Sequence, residues 1–123
     1  MPARDARNLL PLTPVVLHIL LALADGERHG YAIAQDVERS TNEQISMGPG
    51  TLYGSIQRML TASLIEETAH RRRNGDGDDA DSRRRYYRMT ALGRRVLGLE
   101  LARLNDVLRL ARDKRLLRGP RPA

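Results

Sequence analysis

The chain has 123 residues and a net charge of +6, from 21 Lys/Arg against 15 Asp/Glu. That length suits one domain, and 41% hydrophobic residues give it a core of its own. The absence of cysteine excludes disulfides, thiolate catalysis and Cys-ligated zinc.

Taken in order, the first eleven residues read as a flexible arm. Thr13-Pro14 then starts a helix, with Thr as N-cap and Pro at the first helical position. The helix runs through Val15, Val16, Leu17, Ile19, Leu20, Leu21 and Leu23 and stops at Asp25-Gly26. It is apolar on nearly every side, so one face alone cannot bury it, and a partner subunit is the expected second cover. A second helix is expected from Gly30 to Arg39, with Tyr31, Ile33, Ala34 and Val37 as its stripe. Gly48-Pro49-Gly50 reads as a tight turn. A third helix follows from Thr51 to Thr61, burying Leu52, Ile56, Met59 and Leu60. Thr51, Tyr53, Gly54, Ser55, Gln57 and Arg58 occupy its other faces.

After Ala62-Ser63 the period changes to two. Leu64 to His70 and Arg84 to Met89 read as strands, joined by a tip of Arg, Asp and Gly without an apolar anchor. Alternation sends Tyr87 to the core with Met89. Thr90 caps a last helix that should reach at least Leu110 and extend to Leu116, before Gly119-Pro120. In it Leu97, Leu101, Leu104, Leu108 and Ala111 step by four, three, four and three, the spacing of a helix-pair seam. With Leu17 and Leu21 of the first helix they are the expected dimerisation residues.

The longest apolar run, Val15 to Ala24, is broken by His18 and is shorter than the roughly 20 residues of a membrane span. No signal-peptide pattern precedes it, so the expectation is a soluble cytoplasmic protein. The charge is uneven. Residues 1–70 carry five Lys/Arg against eight Asp/Glu, and residues 71–123 carry sixteen against seven. A strongly basic half points to an anionic partner, nucleic acid first.

Helix, helix, turn, helix, two-stranded ribbon and long helix make a mainly α (α+β) fold. It is a winged helix-turn-helix over residues 12–90, followed by a C-terminal dimerisation helix over 91–117 and a flexible tail over 118–123. The third helix is placed to enter a major groove of double-stranded DNA. The ribbon is the wing, and its Arg71, Arg72, Arg73, Arg83, Arg84 and Arg85 suit phosphate. Thr51, Tyr53, Gly54, Ser55, Gln57 and Arg58 are the candidate DNA-binding residues of the third helix. Tyr31 is expected in the core. His18, His29 and His70 lack metal-site spacing, and Asp76, Asp78, Asp79 and Asp81 lack the Glu and flanking helices of a calcium hand, so neither a metal nor another cofactor is expected. No residue spacing suggests an enzyme. The other reading of the same elements is a winged-helix protein-interaction adaptor with weak DNA binding.

Several runs carry a family resemblance. They are Leu12-Thr13-Pro14, His29-Gly30-Tyr31-Ala32-Ile33, Met47-Gly48-Pro49-Gly50-Thr51-Leu52-Tyr53-Gly54-Ser55-Ile56, Leu64-Ile65-Glu66, and Arg84-Arg85-Tyr86-Tyr87-Arg88-Met89-Thr90-Ala91-Leu92-Gly93. Over about residues 12–112 the chain resembles the PadR family of bacterial transcriptional regulators, in its compact subgroup with a single terminal helix. The resemblance implies a homodimeric repressor that binds a palindromic operator and is released by a small-molecule effector. In the family, such effectors are phenolic acids or hydrophobic drugs. Two features depart from the pattern. Ser63 stands where the family usually has Gly, and the chain has no Trp to stack a flat drug at the dimer centre.

Overall fold

The computed structural model describes residues 6–68 and 85–118. Helix α1 is Pro14–Ala22, capped as its sequence requires: the Thr13 side chain accepts from the Val16 N–H at 3.2 Å. Ile19 and Leu20 are fully buried, while Leu21 keeps 37% of its surface exposed. A two-residue strand β1, Arg28–His29, follows. It is too short and too polar to show alternation, so sequence periodicity gives no sign of it. His29 then serves as N-cap of α2, Gly30–Ser40, its Nδ1 accepting from the Ala32 N–H.

Helix α3 is Pro49–Thr61, two residues longer than its apolar stripe suggests. Gly48 is the N-cap and Pro49 the first helical residue, where a missing N–H costs nothing. The expected Gly-Pro-Gly turn is therefore the helix start itself. The α2–α3 turn uses Asn42 and Glu43 at φ +53° and +66°. Thr41 closes it, donating to the Val37 carbonyl at 2.7 Å and accepting from the Ile45 N–H at 3.1 Å.

Strands β2, Ile65–Thr68, and β3, Tyr86–Met89, form the ribbon, and β1 pairs on the far side of β3. The three-stranded antiparallel sheet thus has the order β1-β3-β2. Tyr87 points into the core at 3% exposure, on the face its alternation assigns. The ribbon joins α3 through Ser63 at φ +64°, the left-handed geometry that makes glycine usual there.

Helix α4 is Ala91–Asp113, with Thr90 as N-cap accepting from the Gly93 N–H at 2.9 Å. It ends three residues before Leu116. Arg115 takes φ +61° and the Leu116 N–H returns to the Ala111 carbonyl, a Schellman-type stop. Val96 and Leu97 are buried in the core of the chain, which they share with Ile19, Leu20, Ile33, Ile56 and Met59.

Residues 6–11 are not a loose arm. Ala6–Leu9 forms a 3-10 turn packed on α4, with Ala6 buried. The following chain is tied down by Glu100, whose carboxylate accepts from the Leu12 N–H at 2.9 Å and from Arg103 Nε at 2.6 Å. Glu100 is only 1% exposed. Its hydrogen bonds from Arg103 hold the carboxyl below its ordinary range, against the opposing effect of burial.

Candidate nucleic-acid interface

Amphipathicity orients α3. Its apolar stripe of Leu52, Ile56 and Met59 is buried, which turns Thr51, Tyr53, Gln57 and Arg58 outward. The exposed face carries one charge, Arg58, and no carboxylate. Ser55 is not on it. At 1% exposure Ser55 lies inside, and its Oγ accepts from Arg58 Nη2 at 3.2 Å. Its place is to hold the guanidinium, not to touch a ligand. Gly54 is half-buried, and the nearest group to a β-carbon there would be Arg58 Nη1 at 3.6 Å. No backbone of another described element lies within 4 Å of that position; a close backbone approach lies at Gly93, and at Gly30 it is the Tyr53 side chain that comes close.

Tyr53 is 48% exposed, yet its ring also leans on the start of α2. A β-carbon on Gly30 would lie 2.7 Å from the Tyr53 hydroxyl. Glycine at position 30 leaves room for the Tyr53 ring against the start of α2. Tyr31, expected in the core, is 61% exposed. It is one residue off the buried row of Gly30, Ile33 and Val37, and its ring stacks on His29 at 6.5 Å between centroids. Tyr31 and Tyr53 thus sit within the first turns of α2 and α3, with the Tyr53 hydroxyl beside Gly30.

The ribbon lies next along the chain. Arg85 is exposed but pairs with Glu67 at 3.1 Å, and Arg88 pairs with Glu66 at 2.6 Å. Residue composition gave no hint of these partners; the β2–β3 register, which sets Glu66 opposite Arg88, does. Burial, then the nearby Glu67 carboxylate, push the Tyr87 hydroxyl above its ordinary value. Arg71, Arg72, Arg73, Arg83 and Arg84 lie outside the described residues. So do His70 and the aspartates of the ribbon tip. Among the described residues no group of three or more His, Cys, Asp or Glu could hold a metal, and no helix is long and apolar enough to cross a membrane.

The expected seam divides. Leu97 is 6% exposed and belongs to the chain's own core. Leu101 and Leu108 are 42% and 43% exposed, Leu104 and Ala111 are half-buried, and Val107 and Leu110 widen the open apolar surface. On α1, Leu21 is exposed and Leu17 half-buried.

Residues 19–99 match the model of the transcriptional regulator PadR-like family. The chain belongs to this family. PadR-like proteins are transcriptional regulators, not enzymes. Transcriptional regulator Rv3488 of Mycobacterium tuberculosis is 34% identical over 95 residues, 77% of this chain and 79% of that protein. An uncharacterised protein of Lysinibacillus sphaericus is 33% identical over 86 residues, 70% of this chain and 71% of its own. The PadR-like fold is also seen in solved structures. A PadR family regulator from Clostridium difficile matches with a TM-score of 0.65 at 20% identity, over 82% of this chain and 97% of the other. Bacillus subtilis PadR in complex with operator DNA matches with a TM-score of 0.55 at 17% identity, over 91% of this chain and 52% of the other.

Proposed function

We propose that this PadR-like chain is a sequence-specific, DNA-binding transcriptional regulator that works as a homodimer in the cytoplasm. Residues 12–90 form the reading unit, and residues 91–117 carry the dimer helix. The observation that carries the reading is the outward face of α3, where Thr51, Tyr53, Gln57 and Arg58 stand clear of the core and free of carboxylates. Polar side chains with one cation suit base edges and phosphate together. Tyr53 and Tyr31 supply hydroxyls to the backbone, and the wing arginines follow it. The Arg85–Glu67 and Arg88–Glu66 pairs do not forbid this. Both are exposed, and exposed pairs are worth only about 0–1 kcal/mol, so a phosphate can compete for the guanidinium.

The dimer reading rests on Leu101, Leu108, Val107 and Leu110, a run of open apolar surface on one long helix. Two copies joined there would read a palindromic operator with half-sites about one helical turn apart, or a multiple of it. Repression, with release by a small-molecule effector, completes the proposal, and family membership supports it.

The test is a mobility shift on the promoter upstream of the protein's own gene, in competition with an unrelated duplex. A preference of about a thousandfold or more is expected, with affinity falling steeply as salt rises. Equal affinity for both duplexes would remove the assignment.

A further inference from the structure

The guanidinium of Arg58 is seated on its own helix. Ser55 is turned inward with the buried row of Leu52, Ile56 and Met59. A buried hydroxyl needs a hydrogen-bond partner, and Ser55 Oγ has one in Arg58 Nη2 at 3.2 Å. Helical side chains lean back toward the N-terminus, over the residues three and four positions before them. For Arg58 these are Ser55 and Gly54. Arg58 Nη1 would lie 3.6 Å from a β-carbon on Gly54, so the guanidinium rests beside that glycine. Gly50 stands four residues further back, and nothing lies within 4 Å of the place a β-carbon would take there. Gly50, Gly54 and Arg58 thus form one row of α3 on which Arg58 supplies the side chain.

The seat is polar without being anionic. No carboxylate among the described residues pairs with Arg58. A neutral hydroxyl fixes the guanidinium and leaves its charge for another group. The guanidinium carries its N–H donors in a rigid plane. One parallel fork is Nη1 with Nη2, and the other is Nε with Nη2. Each fork uses one of the Nη2 hydrogens. By accepting from Nη2, Ser55 closes one fork and leaves the other open.

We propose that Ser55 is a positioning residue for sequence reading: it holds Arg58 so that its open fork pairs with a guanine edge. Guanine presents O6 and N7 side by side in the major groove, which is the acceptor pair one arginine fork matches. A free guanidinium turns either fork to phosphate oxygens from many directions. A fixed plane with one open fork loses that latitude and keeps the single orientation that O6 and N7 require. An arginine folded back along its helix reaches less far than an extended one, so α3 must come close to the bases. Gly50 and Gly54 put no side chain in the way of that approach. The inference rests on the DNA-binding reading of α3 and adds to it the base that is read and the residue, itself out of contact with DNA, that selects it.

Competition mobility shifts over single-base operator variants test it, with the full chain as parent, Ser55→Ala, Ser55→Thr, Arg58→Ala and the Ser55→Ala, Arg58→Ala double variant. One operator position should lose its discrimination in Arg58→Ala. At that position the parent should prefer guanine by about tenfold or more. Ser55→Ala, a substitution that suits a buried helical site, should reduce the preference to about threefold or less. Its affinity for an unrelated duplex should stay within about twofold, because the charge is unchanged. Ser55→Thr keeps the hydroxyl and should keep the preference. In the Arg58→Ala background Ser55→Ala should change nothing further. A Ser55 that served only the fold would instead lower affinity for every duplex alike, and that result would overturn the proposal. So would an unchanged guanine preference in Ser55→Ala, or the same change with and without Arg58. A parent that binds its promoter and an unrelated duplex equally would overturn the DNA-binding reading itself, and this inference with it.

Discussion

The carbonyl oxygen of Leu64 occupies the space that a β-carbon on Gly93 would need. Thr90 stitches the same junction, its hydroxyl donating to the Ser63 carbonyl at 2.6 Å and accepting from the Gly93 N–H. The ribbon and the long helix therefore meet backbone to backbone. Gly93→Ala pushes against a main chain that cannot step aside, so it should destabilise by about 1–3 kcal/mol. A lowered denaturant midpoint with unchanged slope would show this. Gly30→Ala meets only the tip of the Tyr53 side chain and should cost far less.

Ser63 holds a left-handed conformation without a glycine. Ser63→Gly should stabilise the protein by about 1 kcal/mol, the order of the penalty a β-carbon carries there. A thermal midpoint raised by a few degrees is the expected reading. No gain would mean that the greater unfolded-state entropy of glycine offsets the backbone cost.

Glu100 links stability to pH. Its carboxyl is held below an ordinary value of 4.5, chiefly by Arg103. A lowered folded-state value means that the stabilisation is complete above the ordinary value. It is lost as pH falls through the lowered one. Glu100→Gln should therefore cost about 1–3 kcal/mol at neutral pH. The gap to the parent should close under acid conditions, as denaturation midpoints across the pH range will show. A gap independent of pH would mean that packing, not charge, is what Glu100 supplies.

Leu101→Lys with Leu108→Lys should give a folded monomer with much weaker operator binding. Both side chains are open on the protomer, so its own core is untouched. Leu97→Lys should instead unfold the protomer, since Leu97 is part of that core. Light scattering with circular dichroism separates the two outcomes. A double variant that is still dimeric would move the interface elsewhere.

On α3, Gln57→Ala and Arg58→Ala should change which operator positions are preferred, by about 1–3 kcal/mol per base contact. Arg85→Ala should weaken binding to every sequence alike and lower the salt slope by about 1. Competition mobility shifts over single-base operator variants read both. A uniform loss from Arg58→Ala would reassign that residue to the phosphate backbone.

The sequence by itself determined the elements. Period-three-to-four stripes set α2 to α4, a nearly continuous apolar run set α1, and Thr13 and Thr90 set two of their starts. Alternation sent Tyr87 inward, and the spacing of Leu101 and Leu108 marked an open stripe. Each of these follows from neighbours within a turn of helix or a few residues of strand, where local geometry fixes which side chains share a face. Only the tertiary structure decided the rest. It added β1, turned Tyr31 out to solvent and took Ser55 inside beneath Arg58. It buried Glu100 against the chain before α1, gave Leu97 to the core, and set Glu66 and Glu67 against Arg88 and Arg85. In most of these cases the deciding partner lies far away in sequence. Leu12 and Glu100 are separated by 88 positions and Glu66 and Arg88 by 22. No local pattern encodes such a pairing, because it exists only once the helices and the sheet have packed.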